Sequence, residues 1–284
     1  MDFDPSESFI FPEPVEKKYS SSQFMGQIKE TVVPEAQVCL WHLGQNSWIF
    51  KTPAGITGAI DPYLTDFCAS GRTGEKKPKS RILPFFIEPE DLEVDLILLT
   101  HSHCDHTDPW TLERLTIKDS VRVFGPWQVE NIVLEAGISQ NQWGLMHPLQ
   151  VFEGKELGWD FKIVGTFAHP TDFSDLNHMG FVLSVDNGPV YYNSGDSSTS
   201  DLLAHVAMYK PKVMSICING GYHNLSHWEA AQVCKLIQPQ VVLPAHYDMM
   251  PHNLQAPHMF RKSLWEQDKT IVYCRCKYYE PYFF

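Results

Sequence analysis

Three histidines and an aspartate fall within six residues in the sequence LILLTHSHCDHTD. They follow a short apolar run of the type that forms a buried strand. Imidazole and carboxylate groups at this density are typical metal ligands, so the sequence predicts a metal site in preference to a solvated histidine-rich turn. Side chains alternate along a strand, so the first two would face one metal position and the next two a second position. In order, these residues are His101, His103, Asp105 and His106.

Three more candidate ligands follow apolar strands elsewhere in the chain: His169 in GTFAH, Asp196 in YYNSGD and His246 in VVLPAH. A lone histidine is more often a structural residue. Strand ends at one edge of a sheet nevertheless converge in space, so distant segments can form one site. The combined set suits two divalent ions: His101, His103 and His169 for one, Asp105, His106 and His246 for the other, and Asp196 as a bridge.

An ion pair of this kind would activate a water molecule for attack on a carbonyl or phosphoryl centre. Asp105 is predicted to carry the proton, since it would contact both a metal and the nucleophile. The ligand types do not choose among zinc, manganese and iron. Cys104 lies between two of the ligands and is interpreted as a packing residue.

Further residues near the expected site have two interpretations each. Asp61 ends an apolar strand, where it either caps its own backbone or orients a metal-binding histidine. Arg81 precedes the apolar segment ILPFF and is either an ordinary surface arginine or the group that binds an anionic substrate. The residues predicted to contact substrate from strand ends are His223, Asn224 and Tyr247, with His178 ranking behind them.

Length and composition set the scale of the fold. The chain has 284 residues and is 43% hydrophobic, which suits one large domain or two fused halves. Strands followed by a helix recur in two halves that divide near residue 150. The proline-containing, polar residues 1–36 are predicted to form an N-terminal arm with a short helix near 22–31, and residues 37–284 the main domain.

The net charge of −12 argues against a general nucleic-acid binder, which needs a basic face. The sequence contains neither an apolar run long enough to span a bilayer nor the pattern of a secretion signal. Seven scattered cysteines indicate a reducing cytoplasm rather than a disulfide framework. The expected partner is therefore a small molecule, and the aromatic tail at 278–284 packs on the body or forms a contact in a homo-oligomer.

These motifs resemble the metallo-β-lactamase superfamily from about Val38 to Trp265. The shared signature is THSHCDH, followed in order by a lone histidine, a GD carboxylate and a final histidine. Within that superfamily the sequence is similar to the branch of L-ascorbate-6-phosphate lactonases and related metal-dependent hydrolases. The features shared with that branch are WHLGQNSW, Arg81 before ILPFF, YYNSGDS and VVLPAHYD.

The resemblance implies an α/β (α+β) fold, a four-layer αββα sandwich with the site at one edge between two sheets. It also implies a cytoplasmic hydrolase that uses manganese, zinc or iron. The leading hypothesis is a metal-dependent hydrolase of a small anionic lactone or ester. One alternative is a phosphodiesterase of the N-acyl-phosphatidylethanolamine phospholipase D type, which would need a membrane-facing apolar groove. The other is a metal-bound sensor without turnover.

Overall fold

The computed structural model describes residues 11–73, 79–171 and 175–284. Its first sheet is formed by the amino-terminal half, with six strands: β1 (Cys39–His42), β2 (Trp48–Lys51), β3 (Thr57–Ile60), β4 (Leu96–Leu98), β5 (Arg122–Gly125) and β6 (Trp143–Leu145). The second sheet has seven: β7 (Val151–Glu153), β8 (Phe161–Phe167), β9 (Met179–Val185), β10 (Val190–Asn193), β11 (Val213–Cys217), β12 (Val241–Ala245) and β13 (Val272–Tyr273). The final strand, β14 (Tyr282–Phe283), returns to the first sheet and pairs with β1.

Each sheet keeps its strands in sequence order, apart from β14 at the outer edge of the first. The α-helices are α1 (Ser21–Glu30), α2 (Pro109–Arg114), α3 (Trp127–Glu135), α4 (His227–Ile237) and α5 (Pro257–Gln267). Short 3₁₀ segments occur at Phe67–Ala69, Pro89–Asp91, Gly154–Leu157, Asp201–Tyr209 and Pro251–Asn253.

Apolar residues on both faces of the strands build three cores. Neighbouring residues point to opposite faces of a strand, so Leu96 packs between the two sheets while Ile97 packs under the helices outside the first sheet. Helices α1, α2 and α3 cover that outer face. Helices α4 and α5 cover the outer face of the second sheet, for example over Val242. The four-layer αββα sandwich predicted from the sequence is therefore confirmed.

The predicted amino-terminal helix is present as α1. A capping box joins Ser20 and Gln23 at its start, and its apolar side, including Phe24 and Ile28, is fully buried in the outer core of the first sheet. The Lys51 ammonium group donates to the Ile28 and Lys29 carbonyl groups at 3.1 and 2.6 Å, which satisfies the carboxyl end of the helix. This part of the arm packs with the main domain, and a boundary at residue 36 stays a prediction.

Strand direction determines which loops meet at the edge where the site lies. Strands β3, β4 and β5 are mutually parallel, as are β10, β11 and β12, so the carboxyl ends of each set share one edge. Strand β9 runs antiparallel to β8, with Phe167 opposite Met179. The start of β9 therefore lies at the same edge as the end of β8.

Candidate metal centre

The histidine-rich loop begins at His101, three residues after the end of β4, and is held by its own backbone. The amide groups of His106 and Thr107 donate to the His103 carbonyl at 2.9 and 2.8 Å, and the Thr107 hydroxyl donates to the His101 carbonyl at 2.6 Å. These bonds form a compact turn. His101 and His106 are completely buried, while His103 and Asp105 are partly exposed.

Within the part of the chain that the structure describes, three groups of imidazole and carboxylate ligands have their donor atoms within 4.8 Å of one another. They draw on the histidine loop after β4, the loop after β10, the turn after β12 and the residue before β9. The groups are His101, His103 and His178; His101, His106 and Asp196; and Asp105, His106 and His246. Asp196 therefore lies between the other two groups, in the position expected of a bridge.

The structure does not bring His169 into this cluster, and His178 lies beside His101 and His103 instead. The His178 ring centroid is 3.9 Å from that of His101. His169 is exposed, with Nδ1 2.9 Å from the Ser198 hydroxyl. Because β8 and β9 are antiparallel, the structure places His178 where the sequence-based prediction placed His169. The start of β9 and the end of β8 reach the same edge, and the Met179 amide donates to the Thr100 carbonyl at 3.0 Å, which fixes His178 beside the histidine loop.

Asp196 approaches the cluster through a glycine. Gly195 has φ 56°, and a Cβ atom there would lie 2.6 Å from the Met179 carbonyl oxygen, closer than any side chain allows. Asp196 Oδ1 lies 3.5 Å from His106 Nε2 and 3.4 Å from His246 Nε2. The Asn224 amide donates to Asp196 Oδ2 at 2.6 Å and orients the carboxylate.

The cluster fits cations by its own geometry. His101 Nε2 lies 3.0 Å from His103 Nδ1, and His106 Nε2 lies 3.1 Å from His246 Nε2, so ring nitrogens face each other in pairs across short distances. The buried atoms His178 Nε2 and Asp196 Oδ1 have no hydrogen-bond partner. A divalent ion at each position would satisfy both features, because imidazole and carboxylate ligands suit zinc, manganese and iron.

Burial and charge divide the histidines into two kinds. Burial, reinforced by the neighbouring imidazoles, lowers the pKa of His101 far below its usual value, and burial also lowers the pKa of His178. Burial acts in the same direction on His106 and His246, but Asp196 and Asp105 outweigh it and raise both pKa values. The first site therefore presents the neutral imidazoles of His101 and His178, and the second site concentrates negative charge that favours a cation.

Asp61 occupies the position of a residue that orients a metal ligand. It is fully buried, and the His106 Nδ1–H group donates to its Oδ2 atom at 2.7 Å. Thr100 and Asn46 also donate to the carboxylate, at 2.6–2.8 Å. Asp61 and His246 have left-handed backbones with φ of 43° and 56°, which is strain of the kind concentrated at functional sites. This geometry favours the orienting role over a simple backbone cap, because Nε2 of His106 is left to face the cluster.

We expect Asp61→Asn to weaken metal binding by about 10–100-fold, because an amide no longer balances the charge of the His106 N–H group when Nε2 binds a cation. Competition with a chromogenic chelator measures this change. Asp95→Asn is the matched control, since that carboxylate accepts from the Thr57 amide at 2.8 Å at the opposite end of β3. Equal effects of the two substitutions would contradict the orienting role of Asp61.

A cavity of about 600 Å³ opens above the cluster. The metal-ligand candidates His103, Asp105, Asp196 and His246 form its floor, and Asn224 lines its wall. Other lining residues, which the sequence-based prediction did not include, are Lys79, Ser102, Tyr222, His252 and Asn253. Lys79 Nζ lies 4.5 Å from the ring centroid of Tyr222, so a cation and an aromatic ring meet at this cavity.

Three of the residues predicted to contact substrate lie elsewhere. The Arg81 guanidinium group donates to four backbone carbonyl groups, those of Tyr63, Thr65, Leu83 and Pro84, at 3.0–3.3 Å. It does not line the cavity, because it is used to hold two loop segments together. Tyr247 is buried in the core, where its hydroxyl accepts from Arg275 at 3.3 Å. His223 is exposed and lines a neighbouring cavity with His169.

Gln45 is a site residue that the sequence-based prediction did not identify. Its side-chain amide donates to Asp105 Oδ2 at 2.7 Å, and its carbonyl accepts from the His246 amide at 2.7 Å. Its backbone amide donates to Asp248 Oδ1 at 2.8 Å, which fixes the turn before β2. The sequence WHLGQNSW already contained an indication of this role, because the polar residues Gln45 and Asn46 follow Gly44 between two apolar strands.

Two cysteines also adjoin the cluster. Cys68, Cys104 and Asp105 form a fourth group with donor atoms within 4.8 Å of one another, and all three line the cavity. The Cys104 thiol, hydrogen-bonded to that of Cys68, and burial together raise the pKa of Cys68. Cys104 packs against the outer core of the first sheet, as the sequence-based interpretation held, and it also lines the cavity.

Comparison with known proteins agrees with the fold and the ligand geometry. Residues 40–246 match the beta-lactamase superfamily domain. A UPF0173 metal-dependent hydrolase from Myxococcus xanthus is 28% identical over 239 residues, covering 80% of this chain and 77% of that protein. A protein of the same description from Aeropyrum pernix is 29% identical over 220 residues, covering 73% of this chain and 82% of that protein.

Solved structures share the same architecture. Igni18, a metallo hydrolase from Ignicoccus hospitalis, has a TM-score of 0.69 at 21% identity and covers 87% of this chain and 98% of its own. An isothiocyanate hydrolase from Delia radicum gut bacteria has a TM-score of 0.68 at 17% identity, with 86% and 98% covered. The metallo-beta-lactamase fold protein YhfI from Bacillus subtilis has a TM-score of 0.61 at 14% identity, with 87% and 100% covered. These likenesses show the fold.

Among the described residues, none of the helices combines the length and the apolar character needed to cross a bilayer. The family match covers well over half of the chain, and the two sheets have the arrangement of the solved relatives. The chain is therefore a member of the metallo-β-lactamase superfamily and groups with its metal-dependent hydrolases.

Proposed function

We propose that this metal-dependent hydrolase holds two divalent ions and cleaves a small anionic lactone or ester, as L-ascorbate-6-phosphate lactonases do. The observation that carries the proposal is the convergence of seven ligands under one cavity of about 600 Å³. The first ion would be held by His101, His103 and His178, the second by Asp105, His106 and His246, and Asp196 would bridge them. When bound, such ions activate water as a nucleophile and polarise the carbonyl group under attack.

The protein groups have distinct tasks in this proposal. Burial keeps the pKa of His101 low, so its imidazole is a neutral donor at physiological pH. Gln45 donates to Asp105 Oδ2, which leaves the second carboxylate oxygen to take a proton from the nucleophile and pass it to the leaving group. Asn224 fixes Asp196 from the cavity wall. The partly buried site also limits access of bulk water around the reacting bond.

The anionic character of the substrate is supported by a cation at the cavity. Lys79 lines the cavity and takes the role that the sequence-based hypothesis gave to Arg81. The Lys79 backbone amide donates to the Cys68 carbonyl at 3.1 Å, which places this side chain above the metal-ligand loop. A phosphate or carboxylate group on the substrate would lie between Lys79 and the metal-ligand cluster.

The test compares a phosphorylated sugar lactone, its unphosphorylated counterpart and bis(p-nitrophenyl) phosphate as substrates of the metal-loaded protein. We expect the phosphorylated lactone to have the highest kcat/KM, and Asp105→Asn to reduce it by about 10²–10⁴-fold. Lys79→Met should reduce the ratio of kcat/KM for the phosphorylated lactone to kcat/KM for the unphosphorylated one. Lys162→Met, at an exposed position on β8, should leave this ratio unchanged. Turnover of the phosphodiester alone would favour the phosphodiesterase alternative, and no turnover of any substrate would support a metal-bound sensor.

A cytoplasmic location is also a proposal, and the cysteines support it. All seven are free thiols, and five of them, including Cys217 and Cys234, are buried. The two thiols at the cavity, Cys68 and Cys104, are close to each other and form no disulfide. Free thiols in such proximity persist in a reducing compartment.

The homo-oligomer considered from the sequence, with residues 278–284 at the contact between subunits, stays a prediction.

A further inference from the structure

We propose that Cys68, Cys104 and Asp105 form a further binding site for a thiophilic divalent cation, of which Zn²⁺ is the natural example, and that this site shares Asp105 with the histidine cluster. The three donor atoms lie within 4.8 Å of one another. Two sulfur atoms and one oxygen at this spacing match three of the four positions in a tetrahedral zinc site. The site goes beyond the proposed hydrolase function, because two of its three ligands have no part in the histidine cluster.

The two cysteines come from different segments that the fold holds together. Cys68 lies in the 3₁₀ segment Phe67–Ala69, is 2% exposed, and its amide donates to the Tyr63 hydroxyl at 3.4 Å. Cys104 lies in the histidine loop and is partly exposed. Both sulfur atoms lie close to the Asp105 carboxylate at the boundary between the core and the cavity. The segments that carry them are held in place because Cys68 lies in the outer core of the first sheet and Cys104 packs against it.

An ion at this site would have access and an open position. Cys68, Cys104 and Asp105 all line the cavity of about 600 Å³, so a cation can enter from solvent and keep its fourth position toward the cavity. Thiolate ligands favour zinc, cadmium and cobalt over manganese, which prefers oxygen ligands. The site formed by Cys68, Cys104 and Asp105 would therefore select zinc, cadmium or cobalt over manganese, a distinction that the histidine and carboxylate ligands do not make. An ion bound there would lie next to the substrate.

The test adds Co²⁺ to the full-length protein that already holds manganese, in a thiol-free reducing buffer. Bound thiolates give cobalt an intense near-ultraviolet charge-transfer band, which imidazole and carboxylate ligands do not. We expect the wild-type protein to develop this band with one further equivalent of bound metal. Cys68→Ser and Cys104→Ser should each lose both the band and that equivalent. Two separate variants guard against a folding defect in either one.

Cys274→Ser is the matched control, because Cys274 and Cys276 form the other pair of contacting thiols in the described chain. It should keep the band. A band that survives in Cys68→Ser and Cys104→Ser, a band lost in Cys274→Ser, or no band in the wild-type protein would overturn the proposal. His178→Ala should lose one equivalent of the metal bound by the histidine cluster and keep the cobalt–thiolate band. The experiment therefore distinguishes an error in the proposed pair of ions from an error in the proposed site at Cys68 and Cys104.

Discussion

The His178→Ala protein is expected to lose about one equivalent of bound divalent metal and at least about 100-fold in kcat/KM. The reason is geometric. His178 Nε2 is buried without a hydrogen-bond partner, and its ring lies against those of His101 and His103. Alanine removes one of three donors for the first ion, so the two imidazoles that remain hold it less tightly. Metal analysis of the purified protein and steady-state kinetics measure the two effects.

His169→Ala is the control for this prediction, because His169 is also a histidine at the same sheet edge. Its ring contacts the Ser198 hydroxyl and the Pro170 carbonyl and belongs to none of the ligand groups in the described chain. We expect this variant to keep its metal content. Loss of metal in His169→Ala together with full occupancy in His178→Ala would restore the assignment made from the sequence.

Arg81→Met is expected to destabilise the fold by about 3–5 kcal/mol while leaving the KM of the correctly folded fraction unchanged. The guanidinium group donates to four backbone carbonyl groups, and methionine would leave these acceptors unsatisfied. Denaturant titration gives the free energy of unfolding, and kinetics on the folded protein give KM. A substrate-binding arginine would show the opposite pattern, with normal stability and a raised KM.

Two further variants make the Arg81 result specific. Arg81→Lys should recover only part of the stability, because an ammonium group cannot donate to four carbonyl groups in the fixed geometry of a guanidinium group. Arg114→Met removes an exposed arginine paired with Glu90 at 2.7 Å, and its effect on the free energy of unfolding should stay below about 1 kcal/mol. If Arg114→Met lowered the free energy of unfolding as much as Arg81→Met, the proposal that the buried carbonyl contacts of Arg81 stabilise the fold would be contradicted.

The fold was predictable because its strands are strongly apolar and end in recognisable turns. Strand β4, with Leu96 and Ile97 on opposite faces, already shows the two-sided burial that a four-layer sandwich requires. The division into halves near residue 150 matches the boundary between the two sheets. The role of β14 was not predictable, because a two-residue pairing across the whole chain has no local signature.

The candidate site was predictable where ligands follow strand ends, and not where partners depend on tertiary contacts. The structure brings His101, His103, Asp105, His106, Asp196 and His246 together, as the loop spacing indicated. His178 was named only as a weaker candidate for substrate contact, because it precedes a strand instead of following one. Arg81 looked suited to an anion because nothing in a sequence shows which carbonyl groups will need donors. Cys104 looked inert because its partner, Cys68, lies 36 positions earlier in the chain.

The pairing of β14 with β1 has a consequence for biosynthesis. Tyr282 and Phe283 are synthesised long after Cys39–His42, the strand whose edge they cover. Until β14 emerges, the backbone amide and carbonyl groups of Cys39 and Leu40 on that edge lack their final partners, which is the state in which strands of nascent chains pair with the wrong neighbour. Emergence of β14 is thus the event that closes the amino-terminal sheet.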